Sequence, residues 1–208
     1  MHRQRVSPFF AVVLAALPLL AAFAPHASAA DQRVRVRGNV VNLNGQTLSV
    51  KTREGESVDV GLAQGWTVSS VARASIADIK PGDFVGIASL PKDGGGDGAL
   101  EVLIFPPALK GTNEGSFGWD LKPNSTMTNA TVANAVKEVD GAALTVTYHG
   151  TDKKITIPEG TPIVTFAPAS LADLKPGAVV FIPGEKSEAG AISTHRVVVG
   201  TNGVVPPM

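Results

Sequence analysis

Cysteine is absent from the 208-residue chain. That excludes disulfides, thiolate metal sites and a lipid-modified cysteine, so stability has to come from packing alone. Aromatic residues make up only 5% of the chain, with two Trp and one Tyr. Basic excess is also missing, because 18 Lys and Arg are balanced by 18 Asp and Glu. An electrostatic nucleic-acid binder carries a basic surplus and aromatic stacking platforms, so nucleic acid is not an expected partner. Beyond the N-terminus no apolar run approaches the ~20 residues of a spanning helix, and no transmembrane segment is expected in the mature protein.

The N-terminus itself is apolar. Arg3 and Arg5 form a short basic region, Pro8 to Ala24 is almost wholly hydrophobic, and Ala27-Ser28-Ala29 has small residues where signal peptidase cuts. Pro18 interrupts the run, which argues against a permanent anchor. Residues 1–29 therefore read as a signal peptide, and the mature protein is expected in the periplasm or outside the cell. Removing Arg3 and Arg5 leaves the remainder slightly acidic.

What is abundant is turn and strand chemistry, with 22 Gly and 15 Pro among many Val and Thr. The pattern repeats. A first copy covers residues 34–105 and a second covers 132–200, with a connector at 106–131 and a tail at 201–208. Each copy opens on a hairpin, Arg37 to Val50 matched by Ala133 to Val146, around Asn44-Gly45 and Asp140-Gly141. These dipeptides favour a type I′ turn with two positive φ angles. A third strand follows, at Ser57–Val60 and Lys154–Ile157. Next comes Ala74-Ser-Ile-Ala-Asp-Ile-Lys-Pro-Gly82, matched by Ala169-Ser-Leu-Ala-Asp-Leu-Lys-Pro-Gly177. Ser75 and Ser170 are suited to cap a short helix, Asp78 and Asp173 to face solvent or cap it, and Pro81 and Pro176 to end it. Ile76 with Ile79, and Leu171 with Leu174, fall on one helical face. Two more strands close each copy, the last at Leu100–Phe105 and Ile192–Val199. Five short strands with one helical plug predict an all-β chain of two tandem OB-like β-barrels, each closing on its own to remove sheet edges.

At these residues the chain resembles a family of exported bacterial proteins of unknown function, whose repeats carry Ser-Leu-x-Asp-Leu-Lys-Pro-Gly-Asp before a Val-rich strand. The second copy departs from the motif, with Ala178 in place of the final acid. The resemblance implies OB-like barrels outside the cytoplasm and no established activity.

Chemistry is sparse. His149 and His195 occupy different landmarks, and there is no Cys pair, His-x-x-x-His or EF-hand loop, so neither metal nor cofactor is expected. There is no Gly-x-Ser-x-Gly elbow. Asp78 and Asp173 are repeat partners explained by capping, and Gly94-Gly95-Gly96-Asp97-Gly98 lacks the Lys-Ser/Thr ending of a phosphate loop. Arg33, Arg35 and Arg37 form one basic strand face, read as a solvated edge with gatekeeping charge. The connector is polar yet carries Phe117 and Trp119, and large aromatics in an irregular segment usually pack onto something. Phe117, Trp119 and Asp120 are therefore the candidate ligand-binding residues. The expected function is non-enzymatic binding of a small ligand or an envelope protein. The alternatives are a purely structural envelope module, or an enzyme with an unrecognised site.

Overall fold

The computed structural model describes residues 32–138 and 141–206. The expected signal peptide at 1–29, and Asp140 of the second hairpin, lie outside them. The chain is all-β. The first repeat supplies β1 (Gln32–Asn44), β2 (Thr47–Thr52), β3 (Ser57–Arg73), β4 (Phe84–Pro91) and β5 (Asp97–Ile104). The connector supplies β6 (Gly115–Gly118). The rest are β7 (Thr126–Glu138), β8 (Gly141–Tyr148), β9 (Thr151–Pro158), β10 (Ile163–Pro168), β11 (Val179–Lys186) and β12 (Ile192–Gly200). Among the described residues no helix is long and apolar enough to cross a membrane.

The two repeats do not close separately, which corrects the expected boundaries at 34–105 and 132–200. β1, β2 and β3 form a closed five-stranded barrel with β11 and β12 of the second repeat: β1 pairs antiparallel with β11, and β12 runs parallel to β3. Conversely, β4 and β5 of the first repeat pair into the second half, β4 against β7 and β5 beside β9. These pairings complete a second circuit, β5-β4-β7-β8-β9, closed by a short parallel contact of Asp97 with Ile155 and Gly98 with Thr156.

The cause lies in strand length. β3 runs for 17 residues, which at about 3.3 Å per residue is roughly 55 Å, far longer than a small barrel needs. It carries the chain out of the first ring before the turn to β4. β10 returns antiparallel to it, from Val164 opposite Arg73 to Pro168 opposite Ser69. The two crossing strands form the seam between the rings.

The interiors follow the exchange. Val36, Leu48, Val50 and Val60 pack with Leu174, Val180, Ile182 and Val197 in one core. Ile79, Val85, Ile87 and Val102 pack with Leu144, Val146, Ile155 and Ile157 in the other. The expected helices are single 3₁₀ turns, Ile76–Asp78 and Leu171–Asp173. Each is tied by its serine: the backbone N and Oγ of Ser75 both donate to Asp78 Oδ2 at 2.8 Å, and Ser170 does the same to Asp173 at 2.7 and 3.0 Å. Those bonds hold both carboxyls below the usual range, the Ser75 hydroxyl leading for Asp78 and the Ser170 backbone for Asp173. Ile79 and Leu174 plug the rings as buried side chains, but Leu171 is 59% exposed, because one 3₁₀ turn presents only part of the face expected of a helix.

Two local expectations shift. The first hairpin pairs Asn44 with Thr47, so its central residues are Gly45 and Gln46; of the two only Gly45 has positive φ, at 58°. In the second, the bulge at Val132/Asn134 matches that at Val40/Asn42. Val40 thus corresponds to buried Val132, and Val136, its expected counterpart, is half-exposed on a longer hairpin arm.

Candidate functional site

Strand alternation gives each ring an inner and an outer face. On β11 and β12, Val180, Ile182, Val197 and Val199 turn inward, while Phe181 and Val198 turn outward to meet Leu103 of β5 and Val71 and Val164 of the crossing strands. Phe105, Phe166, Trp119 and Val204 complete this third apolar layer, so the expected C-terminal tail is partly docked through Val204.

β1 obeys the same alternation. Val36 faces the interior, and Arg33 and Arg35 line the space between the rings. The reading of this face as a solvated edge is wrong. β1 is paired on both sides, and Arg37 is only 9% exposed. Its guanidinium sits 5.1 Å from the Phe181 ring centroid and 5.7 Å from that of Trp119. Arg35 lies closer over Trp119, at 3.9 Å.

The connector is folded onto this surface. β6 pairs with β7, which begins at Thr126, inside the expected connector. Ser125 pins the loop: its Oγ donates to the Trp119 and Lys122 carbonyls at 3.0 and 2.7 Å and accepts from the Lys122 amide at 3.1 Å. Trp119 is thereby held against the arginines, with Phe117 edge-on at 6.1 Å.

Beside the third layer opens a cleft of about 1070 Å³, at the upper end of small-molecule sites (about 300–1,000 Å³). Phe117 and Trp119 line it. Asp120 is engaged elsewhere, accepting from Arg37 Nη2 at 2.9 Å and facing Arg35 at 3.7 Å. Burial raises the Asp120 pKa, but the Arg37 hydrogen bond and the charges of Arg37 and Arg35 outweigh it and hold the carboxyl below its ordinary value.

A lowered carboxylate pKa stabilises the fold above the unfolded value of about 3.9 and ceases to do so as pH falls through the folded value. Asp120→Asn is therefore expected to melt below the unaltered protein at about pH 7, with the two melting temperatures converging near about pH 2. A constant gap across that range, in thermal unfolding followed by circular dichroism, would show that the pairing is not ionic.

Three residues that line this cleft each hold a buried polar atom with no hydrogen-bond partner: Trp119 Nε1, Asn129 Oδ1 and Ser69 Oγ. Asn129 is 6% exposed. Its Nδ2 donates to the carbonyls of Thr112 and Asn113 at 3.3 and 3.2 Å, which aims Oδ1 away from them. Gly86 leaves room for it, since a Cβ there would come within 2.9 Å of Oδ1. Sequence reasoning missed Asn129 and Ser69. The available signal was a polar residue at an outward strand position, and it carries meaning only once the facing ring is known.

No family model matches the chain. Neither does a curated protein or a solved structure.

Away from the cleft, Lys153 Nζ meets Asp97 Oδ2 at 2.6 Å and approaches Thr128 Oγ1 at 3.3 Å. Ser89, fully buried, donates to the same carboxylate at 3.2 Å. This network sits where β5 meets β9 and ties the shortest pairing of the second circuit. His149 Nε2 lies 3.0 Å from the Glu114 carbonyl and braces the connector, while His195 is exposed at the cleft rim. Among the described residues no group of three or more His, Cys, Asp or Glu could hold a metal ion.

Proposed function

We propose that this chain is an exported, non-enzymatic binding protein: two OB-like barrels that exchange their last two strands and hold a small molecule in the cleft between them. In each circuit the strand order is first, second, third, fifth, fourth, with the third and fifth parallel, the order of an OB-like barrel. The apolar segment before Ala29 supports export. The resemblance of the two Lys-Pro-Gly repeats to exported proteins agrees with that.

The observation that carries binding is one cleft lined by three residues that each hold an unsatisfied buried polar atom. Native proteins leave few such atoms, and each costs about 1–3 kcal/mol unless something fills its hydrogen-bonding capacity. An indole N–H, an amide oxygen and a hydroxyl hold a ligand by hydrogen bonds. None of them exchanges protons readily near neutral pH, so the reading is retention, not turnover.

Nile red, an uncharged dye whose emission shifts to the blue in apolar surroundings, provides the test. The mature protein is expected to bind it at one site. Thr67→Trp, which places an indole at an exposed position of the cleft lining, should weaken binding about tenfold with an unchanged melting temperature. Equal binding by both proteins, or none by either, would overturn the cleft as the site and favour a structural module.

A further inference from the structure

The two walls of the cleft differ in charge. Arg33, Arg35 and Arg196 all line it from the first ring. On β1 they lie two residues apart, and β11 links the strands: Arg33 is opposite Glu185 and Arg35 opposite Pro183, while Phe181 of β11 is opposite Val198 of β12. Arg196 thus sits one outward position from Val198, across from the arginine row. Among the described residues no carboxylate comes within ion-pair distance of the Arg33 or Arg196 guanidinium. Asp120 serves Arg35 and Arg37 together, at the edge of the row.

The carboxylates that also line the cleft are placed differently. Glu114 Oε1 accepts from the His149 amide at 3.0 Å, Glu101 is on the opposite wall and engaged within the fold, and Glu185 is exposed beside Arg33. Between the walls lies the aromatic layer of Phe105, Phe166 and Phe181.

Building on the binding reading above, we infer that the cleft takes an amphipathic anion. Its carboxylate or phosphate lies against Arg33, Arg35 and Arg196, and its aliphatic body covers the phenylalanines. Guanidinium groups at an oily wall suit such a head, since they bond it in bidentate fashion and are weakly hydrated. Burial already lowers the Arg35 pKa, the neighbouring arginine charges adding to the effect, so an incoming anion relieves repulsion on that wall.

Four decyl compounds test the inference by calorimetry on the mature protein, below their micelle concentrations: decanoate, decyl phosphate, 1-decanol and decyltrimethylammonium. At least one anion is expected to bind about tenfold or more tighter than the alcohol, about 1.4 kcal/mol, with the cation weakest. The ratio of decanoate to decyl phosphate distinguishes the two head groups. In Arg33→Ala/Arg196→Ala the affinities for anion and alcohol should converge. Alcohol and anions bound equally well by the unaltered protein would overturn the anionic assignment while leaving the cleft a binding site. A preference that survives the double substitution would overturn the role of these arginines. Absence of binding by all four, together with loss of Nile red binding, would overturn both readings.

Discussion

Residues 32–111 and 112–206, produced as separate chains, are expected to be unfolded apart and to fold when mixed. Each half owns three strands of one ring and two of the other. Of the eleven buried residues in the first core, Leu174, Val180, Ile182, Val197 and Val199 come from the second half. Burial of five such side chains is worth on the order of 10 kcal/mol. The whole stability of a domain is about 5–15 kcal/mol, so neither half retains a margin. The second core divides the same way, with Ile79, Val85, Ile87, Ala99 and Val102 supplied by the first half. Circular dichroism and gel filtration of each half and of the mixture decide the matter. A half that folds alone as a monomer would mean that the repeats close on themselves and that the exchange is not the native pairing.

Phe181→Ala should be among the most damaging single substitutions. Phe181 is buried between the rings, packs with Val71, Leu103, Val164 and Val198, and lies under the Arg37 guanidinium. Truncating a buried Phe costs about 3–5 kcal/mol. At about 2–4 °C per kcal/mol for a chain of this size, the melting temperature falls by roughly 10 °C or more. Loss of the ring also removes part of the aromatic lining of the cleft, so Nile red affinity should fall in the same variant. Leu171→Ala is the control: the side chain is mostly exposed, and surface changes stay within about 0.5 kcal/mol. Equal melting temperatures for the two variants would show that the layer between the rings contributes little to stability.

Local chemistry was readable in the sequence. The aspartate of each Lys-Pro-Gly motif does cap its turn, accepting from the backbone N–H and hydroxyl of the serine, because a hydroxyl and a carboxylate three residues apart can satisfy a turn wherever it sits. Ile79 and Leu174 plug as expected, although each plugs the ring begun by the other repeat. Asn44-Gly45 marked a hairpin but placed its turn one residue early. In the connector, Trp119 packs into the apolar layer between the rings. Its partners, Arg35 and Arg37, were misread because a row of arginines looks the same on a free edge as on a strand paired on both sides.

Two of the missed segments share one cause. The far end of β3 and the whole of β10 pair only with segments distant in the chain: Val164 of β10 with Arg73 of β3 and with Leu103 of β5. Their β-branched residues, Thr67-Val68 and Ile163-Val164-Thr165, were the signal, but nothing within a local window demanded a partner.

From the sequence alone came the all-β class, the capped turns and the alternating inner faces, because turns and strand periodicity depend on neighbours a few residues away. Tertiary structure decided which ring each strand closes, that Arg37 is buried and Arg35 partly covered, and that Asn129, Ser69 and Trp119 line one cleft. Those outcomes depend on a 17-residue strand carrying the chain past its own barrel, and on contacts between residues scores of positions apart, which local patterning does not encode.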